Sequence, residues 1–242
     1  IDIDINIDEY LLKFSNCDIF TPEKISKKMA KYLKEDGMLL EPSVGYGNLL
    51  KYIDLKKYSK IDIFDIKEEY LEKCPIEKNI IKNKKDFITY DFKDIKYDNI
   101  IANPPYIKIQ NLSISYRNLL KNKYEQLKNS GSIDLYYAFI LKMLELVKDD
   151  GIIVMITPNS YLYNKSAYKL RKYLIENRFI KEIIDYKEEK IFKKVNVYCC
   201  ITILTKIIKE YIIYNNKMIY YDNIIDNSIF NNIKINDNNN LN

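Results

Sequence analysis

Short apolar runs recur along the chain, and between them lie stretches in which apolar residues return every three or four positions. The runs are Met38 to Leu40, Ile61 to Phe64, Phe87 to Tyr90, Ile100 to Ala102, Gly151 to Pro158, Ile180 to Tyr186 and Val197 to Leu204. The stretches at Glu23 to Lys34, Lys67 to Lys73, Asp134 to Val147 and Ser166 to Glu176 are predicted helices. Strand-length runs alternating with helices predict an α/β domain around a largely parallel sheet. Ligands of such sheets bind beyond the carboxyl ends of the strands, where strand order reverses, so the chemistry is sought in the turns after these runs.

With 242 residues, 47% of them hydrophobic, the chain can bury one substantial core. One domain is expected over residues 1–210. Residues 211–242, rich in Asn, Ile, Lys and Tyr, are expected to form an extension, partly disordered or the start of a recognition region. The net charge of +5 is a mild basic excess that fits a polyanion-binding surface. The chain has no histidine, which excludes an imidazole base, a Ser-His pair and a His-ligated metal. Cys17, Cys74, Cys199 and Cys200 include no C-x-x-C pair, so neither a zinc site nor a disulfide scaffold is expected. No apolar run reaches the length of a membrane span, and IDIDINIDEY lacks the order of a signal peptide. The expectation is a soluble cytoplasmic protein without membrane partners, trimmed at its N-terminus because it begins at Ile1.

The sharpest motif is Asn103-Pro104-Pro105-Tyr106, directly after the run Ile100 to Ala102. Its prolines fix φ and remove backbone donors, leaving a rigid turn that presents carbonyl oxygens. The exocyclic amino group of adenine offers two N–H donors, which the Asn103 side-chain oxygen and the Pro104 carbonyl can accept. Tyr106 adds an aromatic face on which an extruded base can stack. A second constellation, Glu41-Pro42-Ser43-Val44-Gly45-Tyr46-Gly47, follows the first run; its glycines suit a tight turn against a ligand. Asp65 and Ile66 end the next run, where a carboxylate can accept ribose hydroxyls. Asp91-Phe92, after Phe87 to Tyr90, offers a carboxylate beside a ring for a cofactor's adenine.

This ordered set resembles the gamma-class N6-adenine DNA methyltransferases of restriction-modification systems, from about Phe20 to Leu204. The resemblance implies a Rossmann-like fold that uses S-adenosylmethionine, with a mostly parallel seven-stranded sheet whose last strand is antiparallel. It implies that Phe20-Thr21-Pro22 borders the methionine moiety, that Glu41, Pro42, Gly45, Gly47, Asp65, Ile66, Asp91, Phe92 and Asn103 hold the cofactor, and that Asn103 to Tyr106 is catalytic. Ser43 departs from the family's usual Ala. The run Asp134 to Phe139 resembles the pocket-lining helix, and Ile191-Phe192 resembles the late element in which an aromatic, here Phe192, meets the flipped base; Tyr186 and Tyr198 are rivals for that role. Direct methyl transfer to adenine N6, without a covalent intermediate or a metal, is implied, with S-adenosylhomocysteine as product.

The polar stretch Ile107 to Ser130 carries Lys108, Arg117, Lys121 and Lys123, candidate contacts to a nucleic-acid backbone. A target-recognition domain, usual in the family, has no counterpart after Leu204, so a separate specificity subunit or a missing C-terminal domain is expected beside duplex DNA. The alternatives are an N-methyltransferase of RNA adenine or of a protein glutamine amide, and a non-catalytic subunit that binds cofactor or DNA.

Overall fold

The computed structural model describes residues 20–192 and 197–224. Among the described residues nine strands form one sheet: β1 Met38–Glu41, β2 Lys60–Asp65, β3 Ile80–Lys84, β4 Tyr97–Ala102, β5 Val147–Pro158, β6 Ile180–Asp185, β7 Cys199–Thr205, β8 Tyr211–Tyr214 and β9 Lys217–Tyr220. Their order is β3-β2-β1-β4-β5-β7-β6-β8-β9. The pairings from β3 through β5 are parallel, whereas β7 lies antiparallel between β5 and β6. The first seven strands are thus the expected sheet with its antiparallel last strand, and β8 and β9 extend it at one edge. Asn215 and Asn216, at φ 44° and 66°, close the β8-β9 hairpin, the left-handed geometry that asparagine tolerates in two-residue hairpin turns.

The helices are α1 Glu23–Ala30, α2 Glu68–Lys73, α3 Ile114–Lys123, α4 Leu135–Leu146 and α5 Tyr168–Glu176. Alternating strand residues feed two cores. Leu39, Ile101, Val154 and Ile156 join Ile25 and Met29 of α1 on one face, while Leu40, Ile100, Ile153 and Met155 meet α4 on the other. Eleven of the twelve residues of α4 are buried, so its apolar surface is continuous rather than a stripe.

Two expectations are corrected. The first helix ends at Ala30 rather than Lys34, because the Lys34 amide is drawn off to the buried Asn99 side chain of β4 at 2.7 Å. Phe87 to Tyr90 is no strand: β3 lies earlier, at Ile80–Lys84, and Asp86 opens a turn, its carboxylate accepting from the amides of Ile88 (3.2 Å) and Thr89 (3.3 Å). The Phe87 to Phe92 run is apolar because it packs beneath α4, not because it joins a ladder.

Candidate active site

The chain runs outward from β1 through β2 to β3, then returns to place β4 on the other side of β1. The segments after β1, β2, β3 and β4 therefore converge at the carboxyl edge around this switch point. There they wall an open cleft of about 1020 Å³, counting space continuous with solvent. That is ample for a nucleoside-sized ligand.

After β1, Gly45 takes φ +50°, and a Cβ there would come within 3.3 Å of the Phe20 ring. Gly47 shapes the same turn at φ +69° without lining the cleft. The Asp65 carboxylate, at the end of β2, accepts from the Gly45 amide and the Lys67 amide, each at 2.9 Å, tying the first two turns together. Glu41 is 1% exposed, lines the cleft, and has an Oε2 without a hydrogen-bond partner among the described residues. Burial, and then the neighbouring Asp65, push its carboxyl well above the usual carboxylate range. Phe20 stacks on Tyr46 at 4.5 Å, and Tyr70 meets Tyr46 edge-on at 4.6 Å, forming an aromatic wall.

The turn after β4 is held at several points. Asn103 Nδ2 donates to Thr21 Oγ1 at 3.1 Å, the Tyr106 hydroxyl donates to Asn103 Oδ1 at 2.8 Å, and Ser43 Oγ donates to the Asn103 carbonyl at 3.0 Å. The Tyr106 hydroxyl also reaches the Ile156 carbonyl at 3.3 Å, and burial raises its phenol well above the ordinary value. Its ring stands edge-on to Tyr136 at 6.1 Å.

Phe20, Thr21, Glu41, Pro42, Gly45, Asp65, Ile66 and the whole Asn103 to Tyr106 turn line the cleft together. Pro22 lies beside a neighbouring hollow with Glu23 and Asn48. Asp91 and Phe92 are corrected: Asp91 is exposed, Phe92 is sunk in the core, and Asp86 and Phe87 occupy the cleft in their place because β3 ends earlier than expected. Phe192 is buried in the second core rather than lining the cleft. Sequence reasoning also missed Cys199. Cys199, weighed from the sequence only for a zinc site or a disulfide, interacts with the Tyr106 hydroxyl from the start of β7. Burial lifts its thiol to about 12, so it stays protonated and inert at neutral pH.

Of the candidate backbone contacts, Lys108 pairs with Asp134 at 2.8 Å and Lys123 with Glu145 at 3.3 Å. Lys121 and Arg117 lie on α3, whose Ser113 cap accepts from the Tyr116 amide at 3.2 Å. No helix among the described residues is long and apolar enough to cross a membrane.

Solved structures place the fold among α/β methyltransferases. A type I restriction-modification methyltransferase subunit from Streptococcus thermophilus superposes with a TM-score of 0.66 at 19% identity, covering 95% of this chain and 56% of that one. A class I S-adenosylmethionine-dependent methyltransferase from Listeria monocytogenes gives 0.64 at 17% identity, over 86% of this chain and 70% of that one. The family is narrower: residues 16–192 match the Eco57I restriction-modification methylase model, and the chain belongs to that family. Among curated relatives, the type II methyltransferase M.HincII of Haemophilus influenzae is 30% identical over 187 residues, 76% of this chain and 36% of its own length. M.AccI of Acinetobacter calcoaceticus is 30% identical over 192 residues, 74% of this chain and 35% of its own. The chain thus spans about a third of the length of these relatives.

Proposed function

We propose that the chain carries the catalytic centre of an S-adenosylmethionine-dependent DNA methyltransferase that acts on the N6 amino group of an adenine turned out of the duplex. The observation that carries this reading is the opening of the Asn103 to Tyr106 turn onto the same cleft as Glu41, Gly45, Asp65 and Asp86. The residues fit the cofactor on two grounds. Glu41 presents an orphaned buried carboxyl oxygen, and the Gly45 turn leaves backbone open where a side chain would crowd Phe20. Membership of a restriction-modification methylase family supports DNA as the substrate.

Bound S-adenosylmethionine would supply an electrophilic methyl group on a sulfonium. The chain's own part is positioning and polarisation. Asp65 would accept ribose hydroxyls, and Asp86 with Phe87 would receive the purine. The side-chain oxygen of Asn103 and the Pro104 carbonyl would accept both N–H groups of the target amine, directing its lone pair toward the methyl donor. Proton loss can follow transfer, so a chain without histidine lacks nothing the step requires. A recognition subunit or domain would supply the target sequence.

The test is incubation with tritiated S-adenosylmethionine and adenine-rich duplex DNA, followed by digestion to nucleosides. N6-methyldeoxyadenosine is the expected product. Label in no nucleoside, with or without candidate recognition subunits, would overturn the reading.

A further inference from the structure

Lys142 sits on α4, a helix buried at every position except Glu145, and is itself only 3% exposed. A lysine is seldom so enclosed unless the surroundings satisfy its ammonium. Here Nζ donates to the carbonyls of Ile88 and Tyr90, both at 2.7 Å, and lies 5.3 Å and 5.0 Å from the ring centroids of Phe87 and Phe92. Those carbonyls belong to the turn after β3, which joins no ladder, and no backbone amide among the described residues donates to either of them.

The same turn delivers Asp86 and Phe87 to the cleft. Phe87 packs at 5.0 Å against Phe139, three residues before Lys142 and hence on the same side of α4. The Asp86 carboxylate is aimed by the Ile88 and Thr89 amides and by the Tyr116 hydroxyl at 3.0 Å. Without a donor at Lys142, the buried Ile88 carbonyl and the part-buried Tyr90 carbonyl would lose this partner, and the turn would shift to relieve the loss.

We propose that Lys142 is a positioning residue for the purine half of the cofactor, tying the Asp86 to Tyr90 turn to α4 so that the Asp86 carboxylate accepts the purine's exocyclic amino group beside the Phe87 ring. This rests on the cofactor reading above. It makes the amino group, and not only the ring, the feature that Lys142 helps the protein select.

The test is calorimetric binding of S-adenosylhomocysteine and its deaminated counterpart S-inosylhomocysteine to the chain and to Lys142→Met and Lys142→Arg. Lys142→Met should weaken S-adenosylhomocysteine by about tenfold or more and erase the preference over the deaminated form. Lys142→Arg, which keeps the donors, should retain that preference. A Lys142→Met protein with unchanged affinity and preference would overturn the assignment alone; failure of the unaltered chain to bind S-adenosylhomocysteine would overturn the cofactor reading with it. Should Lys142→Met not fold, Lys142→Arg and hydrogen exchange decide. Ligand-dependent protection of the Asp86 to Tyr90 amides in both proteins supports the assignment, and its absence overturns it.

Discussion

The Tyr106 hydroxyl donates to the side-chain oxygen of Asn103 at 2.8 Å, while the amide nitrogen of the same Asn103 donates to Thr21 at 3.1 Å. The carboxamide is therefore held from both ends, with its oxygen assigned as acceptor by its neighbours. Tyr106 thus sets the orientation of the polarising group in addition to offering an aromatic face. Tyr106→Phe keeps the ring and loses a hydrogen bond of about 0.5–1.5 kcal/mol, so transfer to DNA should slow by about two- to tenfold with the KM for S-adenosylmethionine unchanged. Asn103→Ala removes the acceptor itself and should cost about a hundredfold or more. Steady-state tritium transfer measures both, and equal effects of the two variants would contradict this division of roles.

Glu41 holds a buried carboxyl whose Oε2 is unpartnered and whose ionised form is opposed by burial and by Asp65. Its folded pKa is raised, so the stability it contributes is present below the ordinary carboxylate pKa and is lost as pH rises through the folded value. At pH 8, Glu41→Gln should therefore raise the Tm of the ligand-free protein by about 2–4 °C, the equivalent of about 1 kcal/mol in a chain of this size. It should also weaken S-adenosylhomocysteine binding, because the carboxylate is then missing from the cleft. Scanning calorimetry at pH 5 and pH 8 would show the Tm gain only at the higher pH.

The turns after β1, β2 and β4 were legible because their signals are local: paired glycines, an aspartate ending an apolar run, two prolines. The turn after β3 was not. As the edge strand, β3 has only β2 beside it and leaves residues such as Lys82 and Lys84 partly open to solvent, so its sequence IIKNK lacks a buried strand's pattern. The next run, Phe87 to Phe92, owes its apolar character to the overlying α4, and it drew the expected strand and its carboxylate five residues too far along. Cys199 reaches Tyr106 only because β7 inserts antiparallel beside β5, a pairing that no local pattern announces.

Lys142 gives a second pH signature, of opposite sign. Burial chiefly, with Lys123 adding to it and Asp86, Glu145 and Asp91 opposing it, lowers its ammonium to about 8 from the usual 10.5. A lowered folded pKa contributes stability that is present above the unfolded value and lost as pH falls through the folded one. The Tm difference between the chain and Lys142→Met should therefore shift in favour of the lysine as pH rises from about 8 toward 10.5. A difference independent of pH across that window would show that the ammonium is not desolvated as the structure implies.

Asp185, at the end of β6, joins the β8 edge to the carboxyl end of β5. Its Oδ2 accepts from the hydroxyls of Tyr163 and Tyr214, both at 2.8 Å, and its Oδ1 from Asn159 at 2.9 Å. Its backbone amide donates to Asn215 at 2.8 Å. Tyr214 and Asn215 lie beyond residue 210, so the part of the chain that looked like an appendage by composition supplies a hydroxyl donor to the carboxylate of a residue only 5% exposed and, through Asn215, partners for that residue's backbone amide and carbonyl. Tyr214→Phe removes one hydrogen bond to a charged group and should cost about 1.5–3 kcal/mol. Ending the chain at residue 210 strips β8 and β9 from the sheet, uncovers β6, and should cost more than Tyr214→Phe alone. Urea unfolding followed by circular dichroism measures both; a truncated chain as stable as the intact one would mean that the edge hairpin contributes nothing to the sheet that carries the site.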